Sequence, residues 1–200
     1  MKKFNLSINK IIILLFLSIK PLHSAEMTDP IKVDWSFKGL TGTFDRASLQ
    51  RGFQVYKEVC SSCHSMQYLS YRNLGESGGP EFTEAEVKAI AASFEVTDGP
   101  DSQGEMFTRP GRPSDMFVSP HPNKEAAAAA NGGAYPPDMS VLVKARKGGA
   151  NYIYSVLVGY EDPPPGVTLD QGVYYNKYMI GNKIKMPNNL EDGLIEYADG

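Results

Sequence analysis

Two cysteines and a histidine lie within six residues, in the stretch VCSSCH at positions 59–64. Cys60 and Cys63 are the only cysteines in the 200-residue sequence. Three kinds of site use such a cluster: a redox-active dithiol, part of a zinc site, or the covalent anchor of a haem. The residues around the cluster distinguish these possibilities.

The residues before the cluster predict a helix that runs into it. The apolar face of this helix shows helical spacing at Leu49, Phe53, Tyr56 and Cys60. A thioredoxin-type CxxC instead follows a strand and opens a helix, so this position is atypical of a redox dithiol. A four-ligand zinc site needs two more Cys or His at suitable spacing. The other histidines are His23 and His121, which makes zinc a weak alternative.

The remaining interpretation is C-x-x-C-H, the attachment signature of c-type haem. On one helical turn the thiols of Cys60 and Cys63 can reach the two vinyl groups of a haem. His64 can then place its imidazole on the iron. The sequence therefore predicts one covalently attached haem c, with His64 as an axial ligand of the metal.

The second axial ligand is less sharply specified. The candidates are His121 and the methionines, and a methionine is more often core filler than a ligand. Met186 stands in the stretch KMP, far downstream of the motif, where Pro187 fixes the backbone that follows. This pattern favours Met186 and leaves Met179 as its nearest rival. The occupant of the position decides between electron transfer and ligand chemistry at the iron.

The N-terminus is typical of an export signal. Lysines flank a nine-residue apolar run at 11–19, and small residues suited to cleavage follow near Ser24. Nine residues are too few to span a bilayer, which takes about 20; an uncleaved amphipathic start is the alternative. We therefore predict a signal peptide at 1–24 and a haem domain at 25–200. The domain is expected on the periplasmic side of the bacterial inner membrane.

The exported part of the chain is acidic. The signal holds four lysines and no acids, so the mature chain has a formal charge of −7, against −3 for the whole sequence. Such a domain does not suit nucleic acid, which is bound through Lys and Arg, but it suits a cationic partner. A run of acids lies in one loop region, at Glu95, Asp98, Asp101 and Glu105. They either steer a basic partner or form a solvated loop.

The rest of the sequence predicts a mostly α fold with long loops. Gly and Pro number 19 and 14, and they cluster between residues 99 and 187. Thr83 and Glu86 form a capping box at the start of one helix, and Asp138 can cap another. Helices after the motif are predicted at 82–96, 123–130, 138–148 and 152–158, the last with a strand as its alternative.

Four stretches resemble one known family, in the same order: RGFQVYKEVCSSCHSMQYLSYRNL, DGPDSQGEMFTRPGRPSDMF, NGGAYPPDMSVLVKARKGG and GVYYNKYMIGNKIKMP. They resemble cytochrome c1, the haem subunit of the cytochrome bc1 complex, over about residues 31–200. The resemblance implies a class I c-type cytochrome-like domain, mostly α, with long loops around one covalently bound haem. It implies a non-catalytic electron-transfer subunit of a quinol–cytochrome c oxidoreductase.

The resemblance also implies partners and a longer chain. The resemblance implies that this subunit accepts one electron from the Rieske iron–sulfur protein and passes it to a soluble or membrane-tethered cytochrome c. It also implies cytochrome b as a partner in the same complex. A C-terminal helix that crosses the first helix near Gly52, and a membrane anchor, are expected of the family and are missing from this sequence. The alternative function is a haem enzyme or ligand sensor with an open distal iron site.

Carried over by position, the resemblance implies a set of haem-binding residues. It assigns thioether bonds to Cys60 and Cys63, proximal ligation to His64 and distal ligation to Met186. It also places Arg146 against a haem propionate, where a guanidinium gives a charge-assisted hydrogen bond, with Tyr152 nearby. The alternative for Arg146 is a solvated charge at a helix end. The sequence departs from the family after Pro187, where asparagines replace further prolines.

Overall fold

The computed structural model describes residues 28–197, so the predicted signal peptide at 1–24 lies outside the described residues. Regular structure in this part is mostly helical and is separated by long loops, as predicted. The α-helices are α1 (Arg46–Glu58), α2 (Glu84–Ala92), α3 (Lys124–Ala130) and α4 (Gly149–Val158). Short 3-10 turns lie at Cys60–Ser62, Tyr71–Gly75 and Ile180–Asn182. The antiparallel strand pairs are β1 (Glu95–Asp98) with β2 (Phe107–Pro110), and β3 (Tyr174–Tyr175) with β4 (Lys183–Ile184).

Helix α1 carries the chain into the cysteine motif, as predicted. Asp45 caps its N-terminus, where the carboxylate accepts a hydrogen bond from Ser48 N (2.6 Å). Tyr56 is buried on the inner face. Just after Glu58 the chain tightens into the 3-10 turn Cys60–Ser62. The packing of α1 therefore fixes the position and orientation of the motif that follows it.

Helix α2 begins at the predicted capping box but is shorter than predicted. Thr83 Oγ1 accepts a hydrogen bond from Glu86 N (3.3 Å), and Glu86 Oε2 accepts one from Thr83 N (2.7 Å). The helix ends at Ala92, and the residues that follow form the hairpin β1–β2. The β-branched side chains of Val96 and Thr97 favour a strand over a continued helix. The prediction of a helix to residue 96 followed only by loop is wrong.

The helix predicted at 138–148 does not form. The segment is a series of turns, with Ala145 N donating to Val141 O (3.0 Å). Val141 and Val143 are about half exposed (49% and 47%), so the segment lacks the buried apolar face on which a short helix depends. Continuous helix begins only at Gly149, where α4 confirms the helix predicted at 152–158.

A cluster of aromatic rings forms the larger core, between α1, α2 and the loop before α3. Phe117 is its centre: the ring centroid lies 4.8 Å from that of Tyr71, 5.9 Å from that of Tyr56 and 6.2 Å from that of Phe53. Phe117 and Tyr71 are only 6% and 1% exposed. These tilted and stacked contacts stabilise α1 and the start of the motif.

A second, smaller core surrounds α4. Its buried residues are Tyr152, Val156 and Tyr178. Asn176, fully buried, donates from Nδ2 to Val156 O (2.7 Å) and accepts from Tyr178 N (3.1 Å). The segment around residues 174–184 is thereby held against α4.

The first described residues form an N-terminal strap along α4. Ile31 N donates to Ser155 Oγ (2.8 Å), and Trp35 Nε1 donates to Asn151 Oδ1 (2.7 Å). The Trp35 ring also meets Tyr154 edge-on, with the ring centroids 5.9 Å apart. The strap is therefore fixed to α4 by polar and aromatic contacts together.

Arg109 of β2 joins the hairpin to the loop that follows it. Its Nε donates to Asp98 (2.5 Å), and its terminal nitrogens donate to both oxygens of Asp115 (2.6 and 3.0 Å). The hydrogen bonds from Arg109 are the main cause that lowers the pKa of Asp115 to about 2. Asp98 is thus paired within the fold.

We expect Asp115 to make the fold sensitive to acid. Its pKa is about 2 in the folded chain, against an ordinary value of 3.8. The stabilisation from the ionised form is therefore complete above about pH 4 and is lost as the pH falls towards 2. The free energy of unfolding in urea, measured from pH 5 to pH 2, should fall less steeply for Asp115→Asn than for the unmodified protein. Parallel curves for the two proteins would contradict this.

Gly52 lies on the exposed side of α1. A Cβ at this position would meet no atom of the described residues within 4 Å. The helix crossing expected there stays a prediction. Within residues 28–197, none of the helices combines the length and apolar character of a membrane span.

Candidate functional site

The cysteine motif forms a single tight turn after α1. Cys63 N and His64 N both donate to Cys60 O (3.2 and 2.9 Å). Both cysteines are free thiols and half-buried. Burial raises the pKa of the Cys60 thiol, whereas reactive dithiols rely on a lowered thiol pKa. The environment therefore does not favour a redox dithiol at this turn.

His64 is oriented by the carbonyl of Pro137. The distance between His64 Nδ1 and Pro137 O is 2.8 Å. A carbonyl oxygen can only accept, so Nδ1 is the donor in this contact, and in the neutral ring the lone pair is then on Nε2. This is the tautomer that binds a metal through Nε2.

Asp138 was expected to cap a helix, and the structure gives it another role. Its carboxylate accepts from Ser65 Oγ (2.8 Å), from Gln67 N (2.9 Å) and from Ser140 N (2.9 Å). The chain after His64 is thus bound to the chain around Asp138. Sequence reasoning missed this contact because no local pattern indicates a partner about 70 positions away.

Met186 lies in the second core, close to α4. It packs against the cluster of Tyr152, Val156 and Tyr178, and so does Met179. Tyr160 fixes the Met186 backbone by donating from its hydroxyl to Met186 O (2.9 Å). The loop is therefore held even though only one proline follows the methionine.

Met179 and Tyr152 make a direct contact. The Tyr152 hydroxyl donates to Met179 Sδ (3.4 Å). Met179 therefore has a partner for its sulfur within the protein. The structure brings Tyr152 and Met186 into one cluster, as two of the predicted site residues.

Arg146 lies in the turns that precede α4. It is exposed, and its guanidinium donates to Ala145 O at 3.4 Å, a long and weak hydrogen bond. Because the predicted helix around it does not form, Arg146 is displayed on a turn. Its assignment to a propionate stays a prediction.

A cavity of about 480 Å³ lies beside the motif. Its walls include Cys63, His121, Tyr135 and Pro136. His121 Nε2 is buried and has no hydrogen-bond partner among residues 28–197, and such an atom commonly faces an absent ligand or water. The volume is that of a small-molecule site, about 300–1,000 Å³. The cavity therefore fits a bulky group attached at Cys63, the one predicted haem-binding residue among its walls.

The three ligand-type side chains of the motif do not converge on one point. In the part of the chain that the structure describes, no three His, Cys, Asp or Glu side chains are grouped so that they could hold a metal ion. The two sulfurs and the imidazole of the motif therefore do not form a joint metal site in the described residues.

Comparison with known proteins finds one family. The family described as "Cytochrome C1 family" matches residues 35–200. A protein named "Cytochrome c1-2, heme protein, mitochondrial" from Solanum tuberosum is 54% identical over 166 residues, covering 83% of this chain and 63% of that protein.

Two bacterial relatives extend the comparison. "Cytochrome c1" from Rhodospirillum rubrum is 50% identical over 185 residues, covering 84% of this chain and 67% of that protein. "Cytochrome b/c1" from Bradyrhizobium diazoefficiens is also 50% identical over 185 residues, covering 83% of this chain and 27% of that protein. The chain therefore spans only part of each curated relative, and about 63% of the one from Solanum tuberosum.

Proposed function

The chain belongs to the cytochrome c1 family, and from this premise we propose that it is the electron-carrier haem subunit of a cytochrome bc1 complex. Haem c, when bound, supplies a one-electron iron couple. Cys60 and Cys63 would hold it by thioether bonds. His64 and Met186 would be the axial ligands of its iron, a pair that raises the reduction potential.

The observation that carries this proposal is the hydrogen bond between His64 and Pro137. It leaves the Nε2 lone pair of His64 available to a metal, in a motif that places two thiols on the same turn. Tyr160 supports the other side of the site by fixing the carbonyl of Met186. Hydrogen bonds of the described residues thus orient the imidazole of His64 and hold the backbone of Met186.

Arg146 and Tyr152 have supporting roles in this proposal. The exposed guanidinium of Arg146 would bind a haem propionate by a charge-assisted hydrogen bond. Tyr152, buried beside Met186, would line the haem pocket and exclude water. Water exclusion helps to keep the potential of a haem high, because charge on the iron is less well solvated.

The proposed partners follow from the family. The subunit would accept one electron from the Rieske iron–sulfur protein, pass it to a soluble or membrane-tethered cytochrome c, and assemble with cytochrome b on the periplasmic side of the bacterial inner membrane. It would have no catalytic residue of its own. The names of the relatives support the complex, since one is "Cytochrome b/c1".

The acidic run has a partly structural role. Asp98 is paired with Arg109, and Asp101 accepts from Gln103 N (2.8 Å) and Glu105 N (3.0 Å) within its own turn. Asp101 keeps its negative charge, because its partners are neutral backbone N–H groups that lower its pKa. Attraction of a basic cytochrome c would therefore depend mainly on Glu95, Asp101 and Glu105. Their contribution to the association rate would fall with rising ionic strength.

The test of this function is electron transfer from the haem-loaded protein. We expect the reduced protein to transfer one electron per haem to an oxidised basic cytochrome c in a stopped-flow experiment. Carbon monoxide should leave the optical spectrum of the reduced protein unchanged, because His64 and Met186 would both be bound to the iron. Rapid binding of carbon monoxide together with no electron transfer would favour the alternative, a haem enzyme or ligand sensor with an open distal site.

A further inference from the structure

We infer that Asp138 is a positioning residue for His64: it holds the Pro137 carbonyl against the imidazole and thereby sets the strength of the hydrogen bond behind the proposed iron ligand. The inference rests on the proposed function, because its consequence appears in the reduction potential of a haem bound through His64. It concerns a residue whose side chain would touch neither haem nor iron, and which acts through its neighbour in the chain.

Asp138 is the centre of a brace between two segments, residues 65–68 and 138–140. One carboxylate oxygen, Oδ2, accepts from Ser65 Oγ (2.8 Å) and from Gln67 N (2.9 Å). The other, Oδ1, accepts from Ser140 N (2.9 Å). The carboxylate therefore binds donors of both segments at once.

Two further hydrogen bonds strengthen this brace. Met139 N donates to Ser65 O (2.8 Å), and Tyr68 N donates to Ser140 Oγ (3.1 Å). Ser65 is buried, at 8% exposure, so its contacts lie out of bulk water. The two segments are thus fixed in register next to the motif.

The brace begins at the residues that directly follow His64 and Pro137, the two partners of the hydrogen bond at the imidazole. His64 precedes Ser65, and Pro137 precedes Asp138, so one peptide bond separates each end of the brace from the hydrogen bond between His64 Nδ1 and Pro137 O (2.8 Å). Proline donates no backbone hydrogen bond of its own. The position of the Pro137 carbonyl therefore depends on what holds the residue after it.

The site requires a carboxylate. The groups that hydrogen-bond Asp138, including the Ser140 hydroxyl, are donors, and an ionised carboxylate is the side chain that only accepts. Burial would raise the pKa of Asp138, but the hydrogen bonds from Ser140, Gln67 and Ser65 outweigh it and lower the pKa. An asparagine would turn an NH₂ group towards one of these donors and open one side of the brace.

The brace is expected to affect the iron through the imidazole. A strong acceptor at Nδ1 raises the basicity of the ring and stabilises ferric iron at Nε2. A looser Pro137 carbonyl weakens that effect, so ferrous iron is favoured and the reduction potential rises. The same loosening exposes the Nδ1 proton to solvent.

The experiment uses the haem-loaded protein and compares Asp138→Asn with the unmodified chain. Two quantities are measured: the solvent exchange rate of the His64 Nδ1 proton, by NMR of the reduced protein, and the reduction potential, by spectroelectrochemical titration. We expect exchange at least about tenfold faster in the variant, the factor that corresponds to the loss of one hydrogen bond to a charged group. We expect the reduction equilibrium constant to rise about threefold, which is about 30 mV for one electron.

Two further variants separate positioning from charge. Ser65→Ala removes one hydrogen bond of the brace without changing charge, and it should speed the exchange in the same direction by a smaller factor. Glu58→Gln removes one negative charge from an exposed site near the motif, and it should leave the exchange rate unchanged. If Asp138→Asn does not fold, Ser65→Ala carries the test.

Exchange within twofold of the unmodified protein in Asp138→Asn, or in Ser65→Ala if Asp138→Asn does not fold, would overturn the inference. An equal rise of exchange and potential in Glu58→Gln would also overturn it, since charge alone would then suffice. Failure of the proposed function is seen separately, in the unmodified protein. Its spectrum would lack a low-spin haem with a histidine ligand.

Discussion

The Met186→Ala variant is expected to lose the sulfur ligand of the iron and to become a protein that binds carbon monoxide when reduced. Alanine cannot reach a metal, and methionine ligation is what raises the potential of a histidine-bound haem. We expect the reduction potential to fall by about 120 mV, a roughly hundredfold weaker acceptance of one electron. The measurement is a redox titration with optical spectra taken before and after carbon monoxide.

Met179→Ala is the matched control for this variant. Both methionines pack on the same cluster of α4, so the two substitutions remove similar apolar volume from one place. The sulfur of Met179 already accepts from the Tyr152 hydroxyl, and its loss should leave the ligand spectrum unchanged. Loss of the sulfur ligand in Met179→Ala, with Met186→Ala unaffected, would reverse the assignment.

The Phe117→Ala variant is expected to show the largest loss of stability. The ring is 6% exposed and contacts three other aromatic rings. Removing a buried Phe side chain costs about 3–5 kcal/mol through lost burial and the cavity left behind. For a domain of this size that corresponds to a melting temperature about 10 °C lower. Thermal unfolding of the haem-loaded protein, followed by circular dichroism, measures the change.

Phe107→Ala provides the comparison for this loss. Phe107 belongs to β2 and is 43% exposed, so its removal should cost well under about 1 kcal/mol. Equal losses in the two variants would show that Phe117 is not the centre of the core. The comparison keeps the chemistry of the substitution constant and varies only burial.

The cysteine motif could be predicted from the sequence because its residues are close together in the chain. Cys60, Cys63 and His64 stand on one turn, and the apolar face from Leu49 to Tyr56 predicts the helix before them. The capping box of α2 is local as well, and it lies where the sequence places it. Such features depend on residues three or four positions apart, which a single sequence displays directly.

Contacts between segments that are far apart in the chain cannot be predicted from a single sequence by such local patterns. The brace at Asp138 joins residues about 70 positions apart, so the sequence alone indicates only a local role for this carboxylate, as a helix cap. The helix predicted at 138–148 had adequate propensity but has no packed face in the fold. In both cases tertiary contacts decide the structure.

The strap along α4 has a consequence for spectroscopy. Trp35 is the only tryptophan in the sequence, and it is attached to α4 through Asn151. A folded domain of about 170 residues has a radius of gyration of about 15 Å, so a haem within it would lie close enough to accept the excitation energy of the indole. Trp35 emission is then quenched in the folded, haem-loaded protein. This emission should increase when the strap detaches, so a single native fluorophore reports on the attachment of the strap to α4.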